Sequence, residues 1–153
     1  MSRAPTRTCS NEETVNPRTD LGWLRGKGYQ LLVAECDKRL APLGLTAAQY
    51  GVTAILARNE ARTSSELCQR MDYDPGAMTR LLQRLEAKKV IKRVPDISDR
   101  RIHTLALTEN GRLLYEQAQP MVDAVHDLML QGLDADEART LATLLCRVVR
   151  NFS

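Results

Sequence analysis

The chain has 153 residues, of which 43% are hydrophobic and 27% are charged, as is ordinary for one soluble globular domain. No apolar run approaches the roughly 20 residues that a membrane-spanning helix needs, and the opening segment lacks the apolar core of a signal peptide. We therefore expect a cytoplasmic protein with no membrane partner.

The net charge of +3 is concentrated, because residues 76–101 hold eight Lys or Arg against three Asp or Glu. Such a block can neutralise phosphates, and a solvated charged surface is the alternative.

The N-terminal part predicts a tail followed by a helix. Residues 1–18 are rich in Thr, Asn, Pro and charge, and they have too few large apolar side chains to offset the entropy of ordering, so we expect them to be mobile. A first helix is expected over Leu21–Leu40, where Leu recurs at helical spacing. Gly26 and Gly28 weaken the first half of this helix.

Two capping boxes mark the next two helices. Thr46 with Gln49 begins a second helix, and Thr63 with Glu66 begins a short third helix. Only a brief turn separates the third helix from a fourth, which Asp74 can cap. Two helices joined this closely indicate a helix-turn-helix.

The stretch Ile91–Thr108 predicts two short strands joined by a basic turn, which is a wing behind the helix-turn-helix. Thr108 can then cap a long helix running towards Leu130, and a last amphipathic helix is expected over Asp136–Arg150. The expected fold class is therefore mainly α with a small β-hairpin wing. Amphipathic helices at both ends suit dimerisation, and packing within one chain is the alternative.

The fourth helix has two different faces. Four apolar side chains share one face: Met78, Leu81, Leu82 and Leu85. Five small or polar residues lie on or beside the opposite face: Gly76, Thr79, Arg80, Gln83 and Arg84. Arg can donate two hydrogen bonds to guanine, Gln can pair with adenine, and small residues permit a close approach. This face predicts a recognition helix for the major groove, although a merely solvated face would show the same pattern.

Further DNA contacts are predicted around this helix. Pro75 and Gly76 leave backbone donors and the positive end of the helix dipole for a phosphate, and Ser64 and Ser65 offer similar contacts one helix earlier. The basic side chains at the helix end and along the hairpin are Lys88, Lys92, Arg93, Arg100 and Arg101. A narrow minor groove attracts arginine, and Asp99 can orient one by a charge-assisted hydrogen bond.

Other kinds of chemistry find little support. Cys9, Cys36, Cys68 and Cys146 are scattered, with no CxxC pair and no His at metal-ligand spacing, so we expect no metal site and no disulfide framework, and most of them reduced and buried. There is no nucleophile with a base, no P-loop and no dinucleotide fingerprint, so we expect no catalytic residues and no cofactor. A winged helix that binds protein rather than DNA is an alternative, since fold does not fix function.

Three segments together resemble a known family. They are LTAAQYGVTAIL, then TSSELCQRMDYDPGAMTRLLQRLEAKK and, most specifically, Asp99-Arg100-Arg101 followed by a strand and LTENG. In this order they resemble the core of the MarR family of bacterial transcriptional regulators, over residues 45–111. The resemblance implies that Arg101 enters the minor groove and that Asp99 orients it. It also implies that the major groove is contacted by Thr79, Arg80, Gln83 and Arg84.

The resemblance also implies the organisation and the regulation of the protein. Residues 19–153 would form one domain, with a winged helix-turn-helix lobe at 45–111 between dimerisation helices at 19–44 and 112–153. Similar proteins bind pseudo-palindromic operators as homodimers, frequently act as repressors, and release DNA when a small aromatic or phenolic ligand binds.

The resemblance points to three effector contacts. In the family, the effector cleft lies between the DNA-binding lobe and the dimer helices, where Thr79 and Arg93 would meet an aromatic carboxylate and Trp23 would line the cleft from the first helix. Contacts to DNA or solvent are the alternative for Thr79 and Arg93, and packing is the alternative for Trp23. A redox-responsive branch uses a reactive cysteine near the start of the first helix, whereas Cys36 lies late in that helix and Cys9 lies in the tail.

Overall fold

The computed structural model describes residues 16–95 and 103–152. Within these ranges the chain forms helices and one antiparallel hairpin, which confirms the predicted fold class. The elements are α1 (Pro17–Leu40), a 3-10 turn (Ala41–Leu43), α2 (Ala47–Ala57), α3 (Ser64–Met71), α4 (Pro75–Ala87), β1 (Ile91–Pro95), β2 (His103–Leu107), α5 (Glu109–Met129) and α6 (Ala135–Arg150). The chain divides into two compact units, one that ends at Leu31 and one that begins at Leu32.

The α1 helix begins one turn earlier than the apolar spacing predicts, at Pro17 rather than Leu21. Asn16 sets this start, because its side-chain oxygen accepts from the Arg18 N–H at 3.0 Å and its own N–H donates to the Asp20 carboxylate at 2.9 Å. A polar cap adds nothing to a hydrophobic pattern, so the spacing of Leu residues placed the start too late.

The predicted tail of residues 1–18 is therefore too long at its C-terminal end, and residues 1–15 lie outside the described residues. Gly26 and Gly28 lie inside α1, and no atom stands within 4 Å of the place where a Cβ would be. Several large apolar residues in this part of α1 are exposed: Leu21, Trp23, Tyr29 and Leu31. The first unit thus carries an apolar surface of its own.

The α2 helix begins at the predicted capping box. The Gln49 N–H donates to Thr46 Oγ1, and the Thr46 N–H donates to Gln49 Oε1, each at 3.2 Å. The Asp37 carboxylate accepts a further bond from the Ala47 N–H at 2.6 Å. Just before the box, Gly44 adopts a left-handed conformation, with φ 65°, which favours glycine. These contacts fix the elbow between α1 and α2.

The core of the second unit lies among the end of α1, the helices α2 to α5 and the base of the hairpin. Its largest fully buried side chains are Leu40, Val52, Thr53, Leu67, Met78, Leu82, Leu85 and Val90. Burial of apolar surface stabilises the fold by about 25 cal/mol per Å². Thr53 is accommodated because its hydroxyl donates to the Gln49 carbonyl at 2.7 Å. The core therefore holds α4 by its apolar face.

The hairpin pairs Ile91 with Leu107 at its base and Pro95 with His103 at its far end. Thr108 closes the base, since its backbone N–H donates to the Val90 carbonyl at 3.0 Å. The Thr108 hydroxyl also caps α5, as predicted, by accepting from the Gly111 N–H at 3.0 Å.

Gly111 packs directly against this junction. A Cβ at this position would stand 2.0 Å from the Val90 carbonyl oxygen, which is far inside van der Waals contact. The first turn of α5 and the entry to β1 therefore meet where there is no room for a side chain. A glycine here keeps the wing tight against the rest of the unit.

The α6 helix begins at Ala135, one residue before the predicted Asp136, because the Asp134 carboxylate accepts from the backbone of Asp136 and Glu137. None of its residues is buried in the single chain. Its apolar stripe is exposed and continues past its end: Leu141, Leu144, Leu145, Val149 and Phe152. This stripe is an apolar surface that the second unit leaves uncovered.

The described cysteines are Cys36, Cys68 and Cys146, and all three are free thiols. Cys36 is buried, Cys68 is half-buried and Cys146 is exposed, so the prediction that most of the four cysteines are buried is wrong. Cys146 is exposed because it lies on α6, which buries no residue. Burial raises the pKa of the Cys36 thiol, which reduces its thiolate fraction at neutral pH.

Within the described ranges, no single helix has both the length and the apolar composition needed to cross a membrane. Asp20–Leu43 and Ala47–Ala57 meet that criterion only as a pair, across a bend of 78°. The second of these segments is α2, a helix of the buried core.

Candidate nucleic-acid interface

A three-residue turn joins α3 to α4 and forms the predicted helix-turn-helix. Asp72 ends α3 in a left-handed conformation, with φ 48°. The N–H groups of Asp72 and Tyr73 both donate to the Cys68 carbonyl. Asp74 then caps α4 by accepting from the Ala77 N–H at 2.8 Å. The predicted caps of both helices are confirmed.

The α4 helix divides into a buried face and an exposed face as the sequence predicts. The buried residues are Met78, Leu81, Leu82 and Leu85, none more than 6% exposed. The exposed residues are Gly76, Thr79, Arg80, Gln83 and Arg84, which are called the outer face below. Among the described residues, the side chains of Arg80, Gln83 and Arg84 have no hydrogen-bond or ion-pair partner. Their donors are therefore available to a partner outside the chain.

The N-terminus of α4 offers fewer free donors than the sequence suggests. Pro75 has no N–H, and the Ala77 N–H is bonded to the Asp74 carboxylate. The Thr79 hydroxyl donates to the Pro75 carbonyl at 2.9 Å, so its proton is also used. The Gly76 N–H is the first-turn donor that remains for a phosphate.

Ser64 and Ser65 lie in the first turn of α3, and Ser65 is the more exposed. Beside them, the Glu66 carboxylate accepts from the backbone N–H groups of Arg62 and Thr63, at 2.6 and 2.9 Å. These bonds, that of Arg62 first, hold the pKa of Glu66 below its usual value of 4.5. A phosphate at this helix end would therefore approach both serines next to an ionised carboxylate.

Lys92 and Arg93 are adjacent residues of β1, and both are exposed. Arg93 Nε donates to Glu86 Oε1 at 2.7 Å, so an ion pair joins the wing to α4. The predicted residues at the wing tip, Asp99, Arg100 and Arg101, lie outside the described residues. Their contacts to the minor groove stay predictions.

The structure does not bring Lys88 together with the outer face of α4. Lys88 is the C-cap residue of that helix, and its Nζ donates to the Gly44 carbonyl and, at 3.0 Å, to Gln49 Oε1. The ammonium group thus ties the end of α4 to the elbow between α1 and α2. No local pattern indicates this bond, because Lys88 and Gln49 are 39 positions apart.

Positive charge dominates the described part of the predicted DNA-binding block. Residues 76–95 contain six Lys or Arg against one acidic residue, Glu86. The side chains of Lys88 and Arg93 have partners, whereas four other basic side chains have none among the described residues: Arg80, Arg84, Lys89 and Lys92. Lys89 was not predicted as a site residue. It adopts φ 55° at the end of α4, a conformation usually taken there by glycine. Its place in the basic block, between Lys88 and Lys92, is the sequence signal that would have indicated it.

Two of the three predicted effector contacts already have partners within the chain. The Thr79 hydroxyl donates to a backbone carbonyl of α4, and Arg93 is paired with Glu86. Trp23 lies in the unit that ends at Leu31, where it is 38% exposed. The role of these residues in binding an effector stays a prediction.

Comparisons with known proteins agree with this geometry. A model of the MarR family matches residues 43–102. The multiple antibiotic resistance protein MarR of Escherichia coli (strain K12) is 36% identical over 114 residues, which are 74% of this chain and 79% of that protein.

Two solved structures are also similar. A cysteine-to-serine mutant of MarR from E. coli complexed with operator DNA has a TM-score of 0.77 and 33% identity, over 90% of this chain and 99% of that chain. CouR from Rhodococcus jostii RHA1 bound to p-coumaroyl-CoA has a TM-score of 0.78 and 26% identity, over 88% and 95% of the two chains.

A helix-turn-helix with a basic outer face, followed by a two-stranded wing, defines the class of winged-helix DNA-binding transcription regulators. Within this class, the chain belongs to the MarR family, as its sequence pattern predicted.

Proposed function

We propose that this protein is a homodimeric repressor that binds a pseudo-palindromic operator through α4 and the wing, and that a small aromatic or phenolic ligand releases it. It would act in the cytoplasm, with the winged lobe at residues 45–111 and dimerisation helices at 19–44 and 112–153. The observation that carries the proposal is the outer face of α4, where Arg80, Gln83 and Arg84 have no partner among the described residues.

Several observations support an outward role for these side chains. Four buried residues hold the opposite face of α4 in the core, so the helix is rigidly placed while the outer face stays exposed. The similar structure of E. coli MarR was solved with operator DNA. A major groove admits such a helix, and arginine and glutamine are suited to reading guanine and adenine there.

The dimer is supported by apolar surface that a single chain leaves exposed. Leu144 is 48% exposed, Val149 63% and Phe152 89%, and all three belong to the stripe on and after α6. A contiguous apolar stripe of this kind marks a protein–protein contact. A twofold dimer would place two copies of α4 on two operator half-sites.

Release by a ligand is supported by the similarity to CouR, whose structure holds p-coumaroyl-CoA. The predicted contacts for such a ligand are Trp23, Thr79 and Arg93. If Arg93 turned towards a ligand carboxylate, it would leave Glu86, and the ion pair between wing and α4 would be lost.

The test is fluorescence anisotropy of the purified protein on the DNA upstream of its own gene and on a scrambled duplex, at two salt concentrations, with and without salicylate. We expect specific, salt-sensitive binding that salicylate reverses. Arg80→Ala and Arg101→Ala should each weaken binding by about 1 to 3 kcal/mol, and Arg80→Ala should also relax the preference for one base.

Arg147→Ala, on the exposed surface of α6, is the matched control and should bind as the unmodified protein does. Equal affinity of all three variants for the upstream DNA would contradict the assignment to DNA. Equal, weak binding of both duplexes would favour a winged helix that binds a protein instead.

A further inference from the structure

A cavity of about 550 Å³ lies in the second unit, among the end of α2, the loop that follows it, both wing strands and the start of α5. Its volume is within the range of small-molecule sites. Among the described residues, none of those predicted to contact DNA or an effector lines it. The cavity is therefore a separate feature from the outer face of α4.

Backbone contacts hold the walls of this cavity. After α2, Asn59 turns the chain in a left-handed conformation, with φ 54°. The Arg62 carbonyl then accepts from the Leu105 N–H at 2.7 Å, which fastens the loop to β2. At the other side, Gly111 and Thr108 lock the start of α5 to the base of the wing. The cavity is consequently formed before any ligand arrives.

The lining combines an apolar floor with positive charge. Leu56, Leu105 and Leu107 form part of the floor, and none is more than 9% exposed. Among the described residues of the lining, the charged side chains are Arg62 and Arg112, both exposed, and none carries a carboxylate. Among the described residues, neither guanidinium has a hydrogen bond or an ion pair, although Arg62 contributes weakly to the lowered pKa of Glu66.

We propose that this cavity binds a small amphiphilic carboxylate, with its hydrocarbon body on the leucine floor and its carboxylate at Arg62 and Arg112. Guanidinium groups pair with carboxylates through two parallel hydrogen bonds. Burial of a hydrocarbon chain on the apolar floor favours binding of an amphiphile over binding of a bare anion. Because both wing strands form the walls, the bound molecule would also stiffen the base of the wing.

The test is isothermal calorimetry of the full chain, without DNA, using octanoate as the probe. Octanol has the same chain without the charge, and acetate and inorganic phosphate have the charge without the chain. We expect octanoate to bind about tenfold more tightly than each of the three. Equal affinity for octanol would overturn the proposal, because the two arginines would then contribute nothing to binding. Equal affinity for phosphate would also overturn it, because the leucine floor would then contribute nothing.

Variants locate the site. Arg112→Gln and Arg62→Gln should each weaken octanoate binding about tenfold, because each removes one guanidinium group from the carboxylate end of the cavity. Arg147→Gln, on α6 and outside the lining, should change nothing. Thermal unfolding of each variant shows that it is folded, and either arginine variant keeps the test decisive if the other unfolds. Unchanged octanoate affinity in Arg112→Gln would contradict the site, whatever the DNA measurements show.

Discussion

At the scale of single residues, Gly111 and Lys88 fix the DNA-binding elements through contacts that lie outside the recognition motif. Gly111 lets α5 approach the Val90 carbonyl, and Lys88 ties the end of α4 to Gly44 and Gln49. Residue type alone discloses neither role. A glycine early in a helix predicts instability, and a lysine beside other basic residues predicts a phosphate contact.

Gly111→Ala should destabilise the protein by about 1 to 3 kcal/mol, because the new methyl group would overlap the Val90 carbonyl and force the wing and α5 apart. Urea unfolding followed by circular dichroism measures this change. Gly28→Ala is the matched control, since open space surrounds Gly28 within α1. It should gain about 0.5 kcal/mol from helix propensity. Equal stability of the two variants would show that the clash is relieved at no cost.

Lys88→Met and Lys92→Met should separate a fold contact from a DNA contact. Lys88→Met removes the side-chain donor to the Gly44 carbonyl and one of the two donors to Gln49 Oε1, which keeps its bond from the Thr46 N–H. We therefore expect a loss of about 1 kcal/mol in unfolding free energy. Lys92→Met should leave stability unchanged and lower the slope of log affinity against log salt by about 1. Urea unfolding and anisotropy at several salt concentrations test both variants. A larger loss of salt dependence in Lys88→Met than in Lys92→Met would contradict these assignments.

At the scale of the elements, the sequence predicted best what depends on local patterns. The caps at Thr46, Thr63, Asp74 and Thr108 are all confirmed, because each needs only the residue three positions further on. The two faces of α4 are also confirmed, since helical periodicity decides them. The hydrogen bond between Lys88 and Gln49 was missed because the two residues are far apart in the sequence. The start of α1 was missed because its polar cap at Asn16 does not show in the spacing of apolar residues.

The cap of α3 should weaken in acid. The pKa of Glu66 is lowered in the folded protein, so its carboxylate stabilises the fold above pH 4.5, and this contribution is lost as the pH falls through the lowered folded value. Glu66→Gln should therefore reduce stability at neutral pH and show a smaller further loss below pH 4.5 than the unmodified chain. Urea midpoints at both conditions give the comparison. Glu116→Gln, exposed on α5, is the control and should keep the full acid dependence.

At the scale of the whole molecule, the described chain leaves much apolar surface uncovered on both of its units. The first unit exposes Trp23 and Tyr29, and the second exposes the stripe along α6. A soluble monomer would rarely retain such a stripe. The proposed dimer accounts for it, and the amphipathic pattern of α6 had already indicated that function.

Leu145→Glu should disrupt the proposed dimer, because it places a charge in the centre of the exposed stripe of α6. Sedimentation equilibrium should show a dimer for the unmodified protein and a monomer for this variant. Thr143→Glu adds the same charge on the opposite side of α6, where its neighbours are polar, and should remain dimeric. A Leu145→Glu protein that still sediments as a dimer would place the interface elsewhere.

The outer face of α4 also bears on how such a protein can change its target. The side chains of Arg80, Gln83 and Arg84 make no hydrogen bond among the described residues, so they can be exchanged without loss of a fold contact, while the buried leucines stay constant. Operator preference and folding then depend on different residues of the same helix. A library randomised at these three positions should consist mostly of folded regulators. Variants that bind new promoters could be selected from it without further stabilising changes.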